Sequence, residues 1–311
     1  MELVWLNKSH LPEIFRLFQT CFNANTITEQ FFLWKYFENP DGDAILCGVF
    51  DDQRLIASAA LLPENIFLPN EKKKLLKFTD LMTDPAYRGK GLAKKIVQQM
   101  TEKGLQETKV IYTICSKIAT KSFLHAGWNK QDAMLYFFRI PMLPLLQNFH
   151  NTQLHKVNLN DVIDHLILPY SEEESICLKQ RLLWRTQNPK FNYAIITKQI
   201  NGISHFILFS THLKTYQIVC YSEYSDSKTL AILFRKLHFT SYKSRKYVVS
   251  LQPKKNQLYF FLLSKGYLFN LFSFGKMKSI LDLNFIVSEK ENLHLNYYLK
   301  NKISSINYDD L

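Results

Sequence analysis

Glycine is rare in this chain, 9 residues in 311, and two of the nine lie one residue apart in Arg88-Gly89-Lys90-Gly91. Ahead of the pair, Leu75 to Thr83 reads as a strand closed by Asp84-Pro85. After it, Leu92, Ile96, Val97 and Met100 recur at helical spacing. A strand that passes through glycines into a helix argues for an α/β sheet. It also builds an anion site. Glycine lets backbone approach a ligand closely, and the first N–H groups of the helix are unpaired at its positive end. Such a turn suits a pyrophosphate, and Arg88, Lys90, Lys94 and Lys95 add positive charge. The spacing is not that of a Walker loop. It is not that of a dinucleotide-binding turn either, because Lys94 stands three residues past Gly91.

Length and composition predict about two soluble domains. Hydrophobic residues are 47% and charged residues 21%, with 24 Phe and 16 Tyr to fill more than one core. That excludes a disordered chain, a collagen-like repeat and a disulfide-stapled miniprotein. The five cysteines, Cys21, Cys47, Cys115, Cys177 and Cys220, are far apart and show no CxxC spacing. They read as buried, reduced thiols, and no metal site is expected. The start lacks the order of a signal peptide, and no apolar run is long enough to span a membrane. A cytoplasmic protein is expected. The net charge of +12 is uneven, and between Ser227 and Leu281 there are eleven basic residues and no acidic one. Such a block marks either an anionic partner or a solvated face.

The pattern ahead of the loop predicts two helices and a hairpin. Ser9 and Pro12 open the first helix, with Ile14, Leu17, Phe18, Cys21 and Phe22 on one face. Thr26 and Glu29 form a capping box for the second, which ends at Asn39-Pro40-Asp41-Gly42. Ala44 to Phe50 and Leu55 to Leu62 flank a turn at Asp51-Asp52-Gln53. The helix after the loop is expected to stop near Gly104. A strand at Val110 to Cys115, a helix at Ser116 to Ala126 closed by Gly127, and a strand at Ala133 to Ile140 complete the half. Pro141 and Pro144 suggest a linker. The second half then echoes the first. It has a capping box at Ser171 and Glu174, and Trp184 to Asn188-Pro189 stands where the first half has Trp34 to Asn39-Pro40. A hairpin turning at Asn201-Gly202 follows, then strand, helix, strand and a helix ended by Gly266. This order reads as an internal duplication.

At the glycine loop the sequence resembles the GCN5-related N-acetyltransferases, the GNAT superfamily. Their acetyl-CoA loop reads Arg/Gln-x-x-Gly-x-Gly/Ala, which Arg88, Gly91 and Ala93 fit. A second family block, Asn-x-x-Ala followed by Tyr and then Gly-Phe at fixed intervals, is matched in spacing by Ser116, Ala119, Phe123, Gly127 and Trp128. The resemblance covers residues 1–140. It implies an α/β fold of tandem GNAT-like domains, each a mixed, mostly antiparallel sheet with helices on both faces. The expected division is 1–142, with the acetyl-CoA loop, and 143–311, a degenerate half. Where the loop would fall, the second half offers Glu223 and Asp226 and no glycine.

The implied activity is transfer of an acyl group, acetyl first among candidates, from acetyl-CoA to an amine by direct attack. The implied donor contacts are Leu81, Met82, Thr83, Arg88, Gly89, Lys90, Gly91, Leu92, Ala93, Ser116 and Phe123. A strand N–H near Leu81 or Met82 would polarise the thioester carbonyl. Two positions depart from the family: its Asn is Ser116, and its Tyr, which commonly protonates the leaving thiolate, is Phe123. Phe123 has no proton to give. With a thiol pKa of about 8.5, an unassisted thiolate leaves ~1.5 units above pH 7, a cost of about 2 kcal/mol. Tyr112 and Tyr136 are the alternative donors, and Asp80 is a candidate base or substrate contact. The acceptor is an amine, and the basic second half would suit an anionic one. Two other readings stay open. One is a non-catalytic acyl-CoA-binding protein. The other is an aminoacyl transferase of related tandem fold that uses charged tRNA.

Overall fold

The computed structural model describes residues 2–22, 27–68, 71–141, 152–253, 257–269 and 283–289. The first run of elements is β1 (Glu2–Leu6), α1 (Leu11–Phe22), α2 (Glu29–Phe37), β2 (Ile45–Asp51), β3 (Arg54–Leu68), β4 (Glu71–Thr83), α3 (Leu92–Glu107), β5 (Val110–Ser116), α4 (Lys117–His125) and β6 (Asn129–Arg139). The second is β7 (Gln153–His155), α5 (Leu159–Asp164), α6 (Glu172–Thr186), β8 (Asn192–Ile200), β9 (Ile203–Thr211), β10 (Thr215–Tyr221), α7 (Ser227–Ser244), β11 (Tyr247–Pro253), α8 (Gln257–Ser264) and β12 (Leu268–Phe269). The two runs match element for element, as the duplication requires. One strand remains, β13 (Leu283–Glu289).

Two compact units form. One holds Met1–Ala133 and the segment carrying β13, and the other begins at Met134. In the first, the sheet runs β1–β2–β3–β4–β5–β13, antiparallel except for β4–β5. In the second it runs β7–β8–β9–β10–β11–β6, antiparallel except for β10–β11, with β12 also on β6. The strand beside β5 therefore comes from residues 283–289. The strand that follows α4 lies instead against β11, where Phe138 pairs with Val249. These units differ from the halves 1–142 and 143–311 by this exchange of strands.

The local chemistry explains several shifts from the expected boundaries. Asn7, not Ser9, caps the entry to α1: its side chain accepts from Ser9 N–H in a 3-10 turn over Lys8–His10. The N-cap of α2 is Thr28, and Thr26 lies outside the described residues. The β3–β4 hairpin continues to Leu68 and Glu71, beyond the expected Leu62 and Leu75. Helix α3 does not stop at Gly104. A Cβ there would stand 2.6 Å from Ile111 and 2.8 Å from Leu61, so this glycine brings the helix onto the sheet.

The core of the first unit gathers Ile56, Leu61, Leu76, Phe78, Ile96, Val97, Met100, Ile111, Phe123 and Trp128 beneath α3 and α4. Strand alternation sends Thr79 to the opposite face, where Lys35 of α2 meets its hydroxyl at 3.4 Å. Cys47, Cys115 and Cys220 are buried, Cys21 and Cys177 half-buried, and all five are free thiols. Burial pushes Cys47 up to about 12 and Cys115 up to about 11, which holds both as inert thiols. No helix among the described residues is long and apolar enough to cross a membrane.

In the second unit His238 of α7 is buried against Tyr267, Nε2 to hydroxyl 2.9 Å. Burial first, then the charges of Arg139 and Lys265, lowers its pKa to about 3. An unfolded histidine titrates near 6.5, so the unfolded chain binds more protons between these values. The resulting stability is present above pH ~6.5 and is lost as pH falls towards 3. Melting temperature should fall on acidification from pH 7 to pH 4, and less steeply in His238→Gln. Equal slopes by calorimetry would refute the assignment.

Candidate functional site

The site is built where β4 leaves its neighbours. On one side β4 pairs with β3 until a bulge: Thr79 faces Ala60 and Met82 faces Ser58, so Asp80 and Leu81 together oppose Ala59. Asp80 takes φ +52, a left-handed conformation that aspartate tolerates better than most residues. On the other side β4 pairs with β5 only at Leu76–Ile111 and Lys77–Tyr112. One step on, the Thr113 hydroxyl reaches the Phe78 carbonyl at 2.9 Å. The final stretch of β4 thus runs beside β5 without ladder pairs among the described residues. Backbone groups there are available to an extended ligand.

The chain then enters the glycine loop, and Asp84 braces the entry. One carboxylate oxygen accepts from Ala86 N–H at 2.9 Å, and the other pairs with Arg54. The Tyr87 hydroxyl donates to Asp51 at 2.7 Å, and Lys90 lies 4.5 Å above the Tyr87 ring. The hydrogen bond to Asp51 is the largest cause of a raised Tyr87 pKa. Arg88 Nε contacts the Thr83 carbonyl at 3.3 Å. Gly89 and Gly91 have φ +80 and +78, and nothing lies within 4 Å of where a Cβ would stand at either. Gly91 is the N-cap of α3 and brings no side chain to cap it. Donors at the positive end of a 16-residue helix thus face open space between Arg88, Lys90 and the exposed Lys94 and Lys95. This arrangement fits a diphosphate.

The corresponding turn of the second unit is closed. Asp226 caps α7 by accepting from Thr229 N–H at 2.7 Å. Ser222, Ser225 and His205 bond one another at 2.6 and 2.7 Å, and the Tyr224 hydroxyl ties the turn to the Ser204 carbonyl. A carboxylate occupies the place an anion would need.

Of the predicted donor contacts, Leu81, Met82 and Thr83 end β4, Arg88 to Gly91 form the loop, and Leu92 and Ala93 begin α3. Ser116 caps α4, its hydroxyl accepting from Ala119 N–H at 3.4 Å. Phe123 lies inside the core, 1% exposed, edge-on to Phe78 at 4.9 Å and packed against Trp128 at 4.8 Å. Tyr112 is 0% exposed, and its hydroxyl donates to Glu64 of β3. Tyr136 falls in β6, where it pairs with Leu251 of the second unit, and its side chain lies outside the described residues. Asp80 accepts from Tyr36 at 2.7 Å and Lys35 at 2.8 Å. Lys35, Tyr36, Glu64 and Asp84 escaped the sequence reading. Only Asp84 carried a local sign, as an Asp-Pro at the end of a strand. A cleft of about 760 Å³ lies beside the loop, lined by Arg16 of α1, Asp51 and Arg54 of the β2–β3 turn, Asp84 and Tyr87.

Residues 5–124 match the model of the acetyltransferase (GNAT) domain. The chain has the GNAT fold. Among solved structures, a tandem GNAT protein from the clavulanic acid biosynthesis pathway aligns over 93% of this chain and 98% of its own, with TM-score 0.62 and 11% identity. An Enterococcus faecalis protein described as a probable N-acyltransferase aligns over 93% of this chain and 72% of its own, with TM-score 0.64 and 12% identity. A GCN5-related N-acetyltransferase of Anabaena variabilis aligns over 92% and 72%, with TM-score 0.64 and 11% identity. No curated protein matches in sequence. At these identities the likeness is one of fold, and the two GNAT-like units here follow the tandem arrangement.

Proposed function

We propose that the first unit binds acyl-CoA at the Arg88–Gly91 turn and transfers the acyl group, acetyl first among candidates, to an amine. The observation that carries this reading is the N-terminus of α3, uncapped at Gly91 and open in front, at the end of a β4 edge that β5 leaves free. The turn would hold the diphosphate through backbone N–H groups, with Arg88 and Lys90 beside it. The pantetheine arm would lie along Leu81 to Thr83, and a backbone N–H at the bulge would meet the thioester carbonyl oxygen. The amine nitrogen forms the new bond to carbon, the carbon–sulfur bond breaks, and the thiolate departs. Much of the rate would come from positioning. The closed turn at Asp226 supports a second unit without a donor site of its own.

A second reading, acyl-CoA binding without turnover, is favoured by Phe123, which fills the core where the family's tyrosine would give a proton. Calorimetric titration with acetyl-CoA, followed by thiol release with a panel of monoamines, polyamines, amino acids and amino sugars, separates the two. The proposal expects one saturable site and thiol release that depends on amine. Binding with no release across the panel supports the second reading, and no binding overturns both.

A further inference from the structure

Building on the transferase reading, we propose that Lys35 and Tyr36 are positioning residues. From α2 they hold one oxygen of Asp80, so that its other oxygen receives an N–H of the acceptor amine. Their bonds to Asp80 both go to Oδ2, from Lys35 Nζ at 2.8 Å and from the Tyr36 hydroxyl at 2.7 Å. Oδ1 takes no hydrogen bond among the described residues, and the Asp80 side chain is 13% exposed while Lys35 is 2% exposed. The carboxylate is therefore anchored through Oδ2 and keeps part of its surface exposed, at the bulge that ends the regular part of β4.

Stability alone does not call for this arrangement. Glycine would meet φ +52 without the Cβ penalty. Replacing a buried ion pair by apolar residues of similar volume is often neutral or stabilising, and lysine is almost never fully buried unless paired. Asp80, Lys35 and Tyr36 put three polar groups at one place, where Lys35 also meets the Thr79 hydroxyl at 3.4 Å and lies 5.6 Å from the Phe31 ring. What they add is a carboxylate of fixed direction whose charge Lys35 already balances. Asp80 then orients the amine. The amine nitrogen bonds to the acyl carbon, the thiolate leaves, and the proton released from nitrogen passes to water. Asp80 is the group in contact with the acceptor, and Lys35 and Tyr36 act through it.

A double-mutant cycle on the full chain tests this. Asp80→Gly suits the φ of the bulge and removes the carboxylate, which leaves the buried Lys35 without it. Should that variant not fold, Asp80→Asn, which keeps a side-chain oxygen for Lys35 and Tyr36, takes its place. Asp80→Gly should leave acetyl-CoA affinity within about twofold and lower kcat/KM for the fastest amine of the panel by about 100-fold. Lys35→Met and Tyr36→Phe should each lower kcat/KM by about tenfold or more, with acetyl-CoA affinity unchanged. Neither should lower it further in the Asp80→Gly background. Should Lys35→Met not fold, Tyr36→Phe, which removes a single oxygen, carries the cycle. Losses that multiply with Asp80→Gly, or single variants as active as the parent chain, overturn this inference and leave the transferase reading standing. A parent chain that does not bind acetyl-CoA, or binds it without turnover, overturns both.

Discussion

Gly91→Glu will bind acetyl-CoA at least about 100-fold more weakly than the parent chain, a change of about 2.7 kcal/mol. Two effects add. The new side chain projects into the open space before α3, where nothing lies within 4 Å of its Cβ. Its carboxylate also takes the position at the positive helix end that the diphosphate needs. The fold should tolerate the change, because that same space admits the side chain. What remains is the left-handed backbone at φ +78, a cost of about 1–2 kcal/mol for a residue with a Cβ. For a unit of this size that lowers the melting temperature by several degrees. Gly91→Ala separates the contributions, since it carries the backbone cost without the charge, and its affinity should fall much less. Calorimetric titration of both variants decides the matter. An unchanged affinity in Gly91→Glu would sink the loop assignment.

The elements that carry the turn were legible because each rests on neighbouring residues. The apolar spacing of α3, the glycines of the loop and the Asn201-Gly202 hairpin turn are local patterns, and the fold respects them. What escaped depends on residues far apart in the chain. Lys35 lies between Trp34 and Tyr36 on a helix buried nearly all round, so no polar stripe announces it. Its partner is 45 positions away, at a bulge that only the pairing of β3 with β4 reveals. Nothing in an aspartate within a strand signals φ +52. Gly104 looked like a helix stop because a glycine that ends a helix and one that brings a helix onto a sheet are the same letter in a sequence. Tyr112 remained a candidate acid on strand position alone, and its burial and its bond to Glu64 are facts of packing.

The exchange of strands was hidden for the same reason, and its consequence is large. The sequence offers no placement for Leu283-Asn-Phe-Ile-Val-Ser-Glu289, and nothing in those letters names a neighbour. In the structure it pairs antiparallel with β5 along the whole of that strand, from Leu283 against Ser116 to Glu289 against Val110. β5 is the strand that carries Tyr112 and delivers the chain to Ser116 and α4. Without β13, that edge of β5 would be left unpaired, and unmet backbone groups of this kind are costly to bury. A chain ended after residue 282 keeps every residue of the glycine turn, yet it should lose measurable acetyl-CoA binding and unfold at lower temperature. A peptide spanning residues 280–292, added in trans, should restore part of both by adding a strand to the vacant edge. Calorimetry and thermal melts of the truncated chain, with and without peptide, are the measurement. If the shortened chain bound acetyl-CoA as the parent does, β13 would be dispensable to the donor site. The first unit would then be sufficient in residues 1–133, and the tie between the far end of the chain and the turn at Gly91 would have no energetic content.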